Sequence, residues 1–371
     1  MEQTINEVNG LPWYSYDGQN RDVIISSRVR LARNLANFPF PAQFRGDDKE
    51  RVQAIVFDAF SQLDNAAGFH AIESASLSEN SRQILEERGV IKPSAEKKAC
   101  RLPSESGIVM SADGKICCPV NCSDHLHIAR FASGLDFRSS FEECRKIDAQ
   151  LQKKLQFAAS YDFGYLTAAM RNAGSGMKLS ARIHLPGTVR FGKLSVILDY
   201  LKQKNCSVMP AFPSISQGSA AGNFFLISTN SAQNGSEIDQ IAEMESICKY
   251  IAECECKILK DFADNKSTLI RNSVIRAYSI AKFSMLVSLR EAVDIISDIK
   301  LGLQLHLLSG IDINALCSLL YRIQDGHLSY LMNTGSFDFE KDVLCDGRMK
   351  IDRLRAITIQ ESFEKISLGN L

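Results

Sequence analysis

Val23-Ile-Ile-Ser-Ser-Arg-Val-Arg-Leu-Ala-Arg-Asn34 is the stretch that decides how this chain is interpreted. Within it, Arg28 and Arg30 are two residues apart, and side chains with this spacing point to the same side of an extended segment. Arginine presents a planar, always-charged fork that binds phosphate through two hydrogen bonds, so the pair is suited to bind phosphate. Taken alone, however, the pair is more typical of surface or salt-bridged arginines. We expect Arg33, further along, to be structural.

The composition excludes several classes of protein. The chain has 371 residues, and a prior of about one domain per 150 residues suggests two or three domains. Lys and Arg together number 43, as do Asp and Glu, and this balance argues against a strongly basic nucleic-acid surface. No apolar run reaches the roughly 20 residues of a membrane span, and the polar, acidic start resembles neither a signal peptide nor a transit peptide. Eleven cysteines without a secretion signal indicate reduced thiols in a cytoplasmic protein.

The order of predicted elements indicates an α+β protein. Apolar residues at steps of three and four predict a helix after Asp47, and a second helix covers 78–88 before a linker at 92–98. Asp113-Gly114 predicts a tight turn between strands at 108–112 and 115–118. The further predicted elements are a helix at 141–159, strands at 163–170, 179–185 and 223–228, and C-terminal helices at 236–262 (with a capping box at Ser236 and Asp239), 266–284, 286–299, 313–324 and 352–366.

This order predicts three parts. They are a small helical N-lobe at 1–95, an antiparallel β-sheet flanked by helices at 96–262, and a helical C-terminal domain at 263–371.

Five segments, in the same order, resemble the ATP:guanidino phosphotransferases. The opening stretch is similar to the Ser-x-Arg-x-Arg signature of that family, and Val120-Asn-Cys-Ser-Asp-His125 is similar to its Asn-Glu-Glu-Asp-His motif. The strand, glycine turn and mobile-loop end that follow in the family resemble Phe163-Gly-Tyr-Leu-Thr167, Asn172-x-Gly-Ser-Gly176 and Ala221-Gly-Asn-Phe-Phe-Leu-Ile-Ser228. The bacterial protein-arginine kinases are the most similar branch, on the basis of Trp13, His184-Leu-Pro186 and Lys300-Leu-Gly-Leu-Gln-Leu305.

The resemblance covers nearly the whole chain and implies an activity. This activity is transfer of the ATP γ-phosphoryl group to the guanidino group of arginine in proteins, with Mg²⁺ accompanying the nucleotide. Phosphoryl transfer depends mostly on positioning and on neutralising charge. The positions that bind nucleotide in the family correspond here to Ser26, Ser27, Arg28, Val29, Arg30, His127, Lys178, Leu179, Ser180, Ala181 and Arg182. For Arg28 and Arg30, the resemblance is what favours phosphate binding. His127 and Lys178 stand where relatives have arginine.

The carboxylates that the resemblance implies are replaced. Relatives hold and deprotonate the acceptor guanidinium with two glutamates. The Glu positions of the Asn-Glu-Glu-Asp-His motif are Cys122 and Ser123 here, and the glutamate of the mobile loop aligns with Ser216. A positioned base contributes roughly 10²–10⁴ in rate, so we expect a degraded site that is weakly active or inactive. No Asp, Glu, Arg or Lys occurs between residues 205 and 229, so we expect the loop at 205–222 to remain open or disordered.

Other residues near this motif leave alternatives open. His125 or His127 could supply a base near neutral pH, and Cys122 could act as a nucleophile or base if positive charge lowers its pKa. Alternatively, His125 is structural and Cys122 is a small packed residue. The segment 117–127 contains residue types that bind metals but lacks a regular ligand spacing, so we predict no metal site.

A further motif lies near the C-terminus. Ile351-Asp-Arg-Leu-Arg-Ala356 is similar to the Arg-Asp-x-x-Arg-Ala motif that binds phosphoarginine in the protein-arginine kinases. Asp352, Arg355 and Ala356 match that motif, whereas Ile351 replaces its first arginine. A charged helix exposed to solvent is the alternative interpretation.

Two functions are compatible with these residues. One is a weakly active or inactive protein-arginine kinase with a protein substrate. The other is a non-catalytic pseudokinase that binds a regulatory protein partner of stress-response proteolysis, as an adaptor or a nucleotide sensor. The missing carboxylate pair favours the second. We expect no nucleic-acid or membrane partner and a cytoplasmic location, with a homodimer as a candidate assembly.

Overall fold

An antiparallel sheet of eight strands, in the order β2-β3-β4-β5-β1-β8-β10-β9, organises the molecule. The computed structural model describes residues 12–91, 106–233, 235–265 and 268–369. The strands of the sheet are β1 (Ile24–Arg33), β2 (Phe69–Glu73), β3 (Gly107–Ser111), β4 (Ile116–Val120), β5 (Leu126–Ser133), β8 (Met177–His184), β9 (Cys206–Pro210) and β10 (Phe224–Thr229). Two small ribbons pair β6 (Ala159–Ser160) with β7 (Gly164–Tyr165) and β11 (Leu308–Ser309) with β12 (Ser367–Leu368).

Helices cover both faces of this sheet. Those that precede β10 are α1 (Asp48–Ser61), α2 (Glu79–Glu87), α3 (Phe137–Leu151), α4 (Pro186–Arg190) and α5 (Leu194–Gln203). Those that follow it are α6 (Glu237–Asn265), α7 (Thr268–Phe283), α8 (Leu289–Gln304), α9 (Ile313–Arg322), α10 (Asp325–Thr334) and α11 (Gly347–Ser362). The mixture of helices and an antiparallel sheet confirms the predicted α+β fold class.

Two hydrophobic cores lie on opposite sides of the sheet. One is formed with α1, α3 and α6 and contains Val29, Leu179 and Ala181. The other is formed with α7, α8, α9 and α11 and contains Trp13 and Phe131. Because alternate residues of a strand face opposite sides, β4, β5, β1 and β10 contribute residues to both cores, whereas β8 contributes only to the core that contains Leu179. Within the described residues, no helix combines the length and apolar composition needed to cross a membrane.

Local signals in the sequence identified several elements correctly. The hairpin at Asp113-Gly114 joins β3 to β4, and Gly114 has a φ of 67°, which a side chain would disfavour. The capping box before α6 is present, because Ser236 and Asp239 each donate a backbone N–H to the side chain of the other. These signals involve residues a few positions apart and do not depend on the rest of the fold.

Other predicted elements were wrong. The strand predicted at 163–170 is reduced to Gly164–Tyr165 and is followed by a 3-10 turn at Met170–Asn172. The helix predicted at 141–159 begins at Phe137, because Asp136 accepts a hydrogen bond from the backbone of Ser139 and caps it. Strand β5 was missed because all eight of its residues are buried, which removes the alternation of polar and apolar residues that marks a strand.

The N-terminal part is more than a helical lobe. Its strand β1 lies in the middle of the sheet between β5 and β8, and β2 forms one edge. The predicted linker at 92–98 and the boundary at 95/96 lie outside the described residues. Helix α6 continues through the predicted boundary at 262/263 as far as Asn265. The two predicted domain boundaries therefore stay predictions.

Candidate functional site

Four cations lie on one face of the central strands. Arg28 is opposite Ser180, Arg30 is opposite Lys178, and Ser26 is opposite Arg182 in the pairing of β1 with β8. Residues that are directly paired across neighbouring strands point to the same face of a sheet. We call the surface formed by Arg28, Arg30, Lys178 and Arg182 the cationic face. His127 pairs with Ala32, two residues beyond Arg30, and so lies on the same face.

The charges on this face are close and partly desolvated. Burial lowers the pKa of Arg28 to about 10, and the neighbouring charges of Arg30 and Arg182 act in the same direction. Burial also lowers the pKa of Arg30, with Arg171 adding to the effect and Asp124 opposing it. Like charges that depress one another's pKa values are stabilised by a bound anion.

Hydrogen-bonding capacity on the cationic face is left unused. Among the described residues, the buried Nε atoms of Arg30 and Arg182 have no hydrogen-bond partner. Arg28 donates from Nη1 to the carbonyl oxygen of Gly89 at 2.9 Å, and its guanidinium lies 5.5 Å from the centre of the Phe131 ring. A buried donor without an acceptor is costly, so these guanidinium groups are suited to receive phosphate oxygens.

Four residues of the predicted nucleotide-binding set do not belong to the cationic face. The side chains of Val29, Leu179 and Ala181 are buried in the core with α3 and α6. Ser27 also faces that side, where its hydroxyl accepts a hydrogen bond from the backbone of Asp136 at 3.0 Å. The predicted set includes both faces because a contiguous run of strand residues alternates between them, and nucleotide binding at these four positions stays a prediction.

Arg33 is structural, as predicted. It is 3% exposed and forms two parallel hydrogen bonds, Nε to Oδ1 and Nη2 to Oδ2 of Asp148, both at 2.9 Å. Its guanidinium also lies 3.6 Å from the centre of the Tyr165 ring. The third arginine of the opening stretch therefore joins β1 to α3 on the side of the sheet opposite the cationic face.

The turn between β4 and β5 carries Cys122 and Ser123, which the resemblance aligns with the family glutamates. In this turn Ser123 Oγ donates to Asp124 Oδ2 at 3.2 Å and lies 3.5 Å from His127 Nε2. The same ring nitrogen of His127 is 3.1 Å from Asp124 Oδ2. One nitrogen cannot both donate to Asp124 and accept the Ser123 proton, so the three groups do not form a relay for activating the serine. Cys122 lies partly exposed beside them.

Asp124 is unsuited to act as a general base. Its Oδ1 accepts from Asn34 Nδ2 at 2.8 Å and from the backbone of Ala168 at 2.7 Å. Burial alone would raise the pKa of Asp124, but the hydrogen bond and charge of His127, together with these two donors, hold it well below its usual range. A carboxylate this acidic and this fully hydrogen-bonded is a poor proton acceptor.

His125 is a structural residue. Its Nδ1 accepts from the backbone of Leu35 at 2.9 Å, and its Nε2 is 2.8 Å from the carbonyl oxygen of Pro39. The ring stacks on Phe44, and burial lowers the pKa of the imidazole. Both nitrogens are therefore engaged by neutral backbone groups. Among the described residues, no three His, Cys, Asp or Glu side chains are grouped to hold a metal ion.

The mobile-loop segment is folded, which contradicts the disordered alternative of the prediction, whereas the expectation that the loop remains open stays a prediction. Ser216 Oγ donates to the carbonyl oxygen of Phe212 at 2.7 Å and accepts from the backbone of Ala221 at 3.1 Å. Helix α8 holds the segment from outside, since Arg290 donates to the carbonyl oxygen of Ile215 at 2.8 Å and Asp294 accepts from the backbone of Gly222 at 2.6 Å. The charges absent from the loop sequence are thus supplied by a distant helix.

The C-terminal motif is buried rather than exposed. Arg355 is 0% exposed and donates to the carbonyl oxygens of Ile323 and Val287, at 2.8 and 2.9 Å, and to the carboxylates of Asp352 and Asp325. The alternative of a solvent-exposed helix was therefore wrong for this residue, and Ala356 is also buried. Binding of phosphoarginine by Asp352, Arg355 and Ala356 stays a prediction. It would require Arg355 to donate to the ligand although its guanidinium already donates to four acceptors.

Three residues that lie near the site were not identified from the sequence. Arg171 influences the pKa of Arg30, Tyr321 bonds to Arg182, and Arg290 holds the mobile-loop segment. Tyr321 and Arg290 come from the C-terminal helices, and no local pattern connects them with partners that are 139 and 75 positions away along the chain. Arg171, next to the glycine turn at 172–176, is the one that proximity to a motif could have indicated.

Comparison with known families and proteins agrees with this architecture. The model of the ATP:guanido phosphotransferase C-terminal catalytic domain matches residues 51–258, and that of the protein-arginine kinase McsB C-terminal domain matches residues 267–370. A protein-arginine kinase from Pelotomaculum thermopropionicum is 29% identical over 353 residues, which is 94% of this chain and 97% of that protein. Another from Syntrophomonas wolfei is 30% identical over 309 residues, covering 83% of this chain and 85% of that protein.

Solved structures share the fold at lower identity. A duplicated taurocyamine kinase from Schistosoma mansoni, with bound transition state analog components, aligns with a TM-score of 0.57 at 19% identity over 68% of this chain. This chain spans about a third of that duplicated protein, 35% of its length. A lombricine kinase aligns with a TM-score of 0.53 at 16% identity, over 67% of this chain and 70% of its own. The chain therefore belongs to the ATP:guanido phosphotransferase family, in its protein-arginine kinase branch.

Proposed function

We propose that this protein binds ATP with Mg²⁺ on the cationic face and transfers the phosphoryl group to protein arginine only weakly or not at all. One contrast supports this proposal: the arginines for phosphate are present, whereas Cys122 and Ser123 occupy the positions of the family glutamates. The phosphate-binding half of the site thus fits its ligand and the guanidinium-binding half does not.

The nucleotide half would act through charge. Arg28, Arg30 and Arg182 would neutralise the phosphates, and the unused Nε donors of Arg30 and Arg182 would gain acceptors. Lys178 would contribute a point charge from the neighbouring strand. Mg²⁺ retains several waters and binds largely through substrate phosphates, so it requires no dedicated cluster of protein carboxylates. When bound, it would lower the negative charge that the phosphoryl group presents to an acceptor.

The acceptor half would limit the chemistry. A guanidinium is protonated and a poor nucleophile, so it must be held and deprotonated. Ser123 and Cys122 are neutral in their ordinary forms, and the four hydrogen bonds to Asp124 leave it no capacity for this task. Losing a positioned base costs roughly 10²–10⁴ in rate.

Titration calorimetry with ATP and Mg²⁺ tests the nucleotide half. We expect a measurable signal in the parent protein that disappears in the double variant Arg28→Ala, Arg30→Ala. The matched control is Arg138→Ala, which removes an arginine that is 61% exposed and pairs with Glu245 on the surface. Unchanged affinity in the double variant would refute the proposed site.

A radiolabel assay with protein substrate and free arginine tests the acceptor half. We expect at most trace incorporation by the parent protein and more incorporation by Ser123→Glu, which returns a carboxylate to the turn. Robust turnover by the parent that is lost in His127→Ala would show instead a rebuilt catalytic site.

A second candidate is a non-catalytic pseudokinase that binds a regulatory protein of stress-response proteolysis in the cytoplasm, with a homodimer as one assembly. The replacement of both motif glutamates at Cys122 and Ser123 favours this role over catalysis. Co-purification that depends on nucleotide but not on phosphotransfer would support it. Partner binding that requires phosphorylated arginine made by this protein would contradict it.

A further inference from the structure

We propose that Tyr321, on helix α9, is a positioning residue that holds the Arg182 guanidinium in place to bind the phosphates of the nucleotide. This inference rests on the proposed nucleotide binding. It adds a residue from the C-terminal helices to a site that is otherwise built on β1 and β8.

Contacts on one side of Arg182 fix its guanidinium. Arg182 Nη1 donates to Tyr321 Oη at 3.0 Å. The guanidinium carbon lies 5.4 Å from the centre of the Tyr321 ring and 5.0 Å from the centre of the Phe212 ring. Among the described residues, the buried Nε of Arg182 has no partner. The guanidinium is therefore oriented by aromatic groups and keeps a donor available for a ligand.

Arg182 lies on the same face of the sheet as the arginines proposed to bind phosphate. Arg182 pairs with Ser26 on β1, two residues before Arg28, and so belongs to the same face of the sheet. Its charge is close enough to lower the pKa of Arg28. An anion that bridges these arginines would relieve their mutual repulsion and satisfy the free donor at once.

Tyr321 is itself held rigidly. Its ring is 6% exposed, stacks on Tyr14 with centroids 4.4 Å apart, and meets Trp13 edge-on at 5.5 Å. A clamped ring keeps the hydroxyl in one place, so the guanidinium that it holds has already lost much of its rotational freedom before a ligand arrives. Preorganisation of this kind raises affinity because less ordering remains to be done on binding.

A double-mutant cycle measured with ATP and Mg²⁺ by calorimetry tests the proposal. The proteins are the full-length parent, Tyr321→Phe, Arg182→Ala and the double variant. Phenylalanine keeps the ring and its stacking but removes the hydroxyl. We expect Tyr321→Phe to raise Kd about 3- to 10-fold, in line with loss of one hydrogen bond that orients a charged group. In the Arg182→Ala background, the same change should have no further effect.

Controls separate positioning from a structural role. Ser318→Ala removes a hydroxyl on the same helix that contacts Tyr14 and Ser15 rather than Arg182, and it should leave Kd unchanged. Thermal unfolding of Tyr321→Phe should remain close to that of the parent. An equal loss of affinity in both backgrounds, or no loss in Tyr321→Phe although Arg182→Ala binds weakly, would overturn the proposal.

Failure of the proposed function would change the ATP affinities in a different way from failure of the proposed role of Tyr321. If the parent binds no ATP, both the nucleotide site and the role of Tyr321 are refuted. If affinity depends on Arg28 and Arg30 but not on Arg182, the nucleotide site stands and the role of Tyr321 is refuted.

Discussion

Replacing Arg28 by methionine should stabilise the fold while it removes a phosphate contact. Arg28 is a charged group in a partly desolvated position, and the nearby charges that act on it are mainly those of Arg30 and Arg182. A residue that is kept for binding and not for folding is expected to show this opposition of effects.

The magnitude follows from the environment of Arg28. A pKa lowered from 12.5 to about 10 corresponds to roughly 3 kcal/mol against the charged form, at about 1.4 kcal/mol for each pH unit. The variant also loses the hydrogen bond to Gly89, worth about 0.5–1.5 kcal/mol. Methionine retains an apolar, polarisable contact with the Phe131 ring. The free energy of unfolding should therefore rise by roughly 1.5–2.5 kcal/mol.

Urea unfolding in phosphate-free buffer measures this change. Arg33→Met is the matched comparison, since it breaks the buried pair with Asp148 and should lower the free energy of unfolding by about 3–5 kcal/mol. Added tripolyphosphate should stabilise the parent in proportion to its binding and leave Arg28→Met nearly unaffected. A loss of 1 kcal/mol or more in Arg28→Met, under phosphate-free conditions, would refute the assignment of Arg28 as a strained anion ligand.

Two further predictions concern contacts with the C-terminal helices. Arg290→Ala removes the donor to Ile215 and should speed hydrogen exchange of the Ala221 and Gly222 amides about tenfold or more. Unchanged exchange would show that the mobile-loop segment folds without this contact. Burial raises the pKa of Glu87 to about 7, so protonation of this carboxyl as the pH falls through 7 stabilises the protein. Burial and nearby arginines lower the pKa of His327 to about 4, so acidification from pH 6.5 to 4 destabilises the protein through this residue. On acidification, the stability of Glu87→Gln should therefore fall relative to that of the parent, and the stability of His327→Gln should rise relative to that of the parent. Denaturant titrations that give parallel pH profiles for the variants and the parent would contradict both assignments.

The sequence revealed those parts of the site that depend on one strand. The spacing of Arg28 and Arg30 predicts a shared face because alternation is a property of any extended chain. The same alternation places Val29 and Leu179 on the opposite face, although both belong to the contiguous segments carried over from the family. The placement of Arg290 against the mobile-loop segment could not be predicted, because it depends on how α8 packs and not on any nearby pattern.

The burial of the C-terminal motif was also beyond local reasoning. Arg355 lies in a segment with several charged residues, which ordinarily indicates a solvated helix face. Its burial is possible only because carbonyl oxygens from Ile323 and Val287 and two carboxylates converge on it. Asp352 lies on the same helix as Arg355, but the other three acceptors are 30 or more positions away along the chain, so the satisfied cation appears only in the folded molecule.

The buried side chain of Lys300 connects the C-terminal helices to the N-terminal segment of the chain. The side chain is 0% exposed, and its ammonium donates to the backbone oxygen of Asp22, which also accepts from Gln304 at 2.9 Å. Nearby, Arg21 donates to Asn314 of helix α9. A fragment that starts after α6 would leave this ammonium without its N-terminal acceptor and open the surface that Trp13 covers. Residues 13–22, which precede the matched region at 51–258, should therefore melt together with the matched region at 267–370 in one cooperative transition. The boundaries of the family models would then differ from the boundaries of the unit that folds.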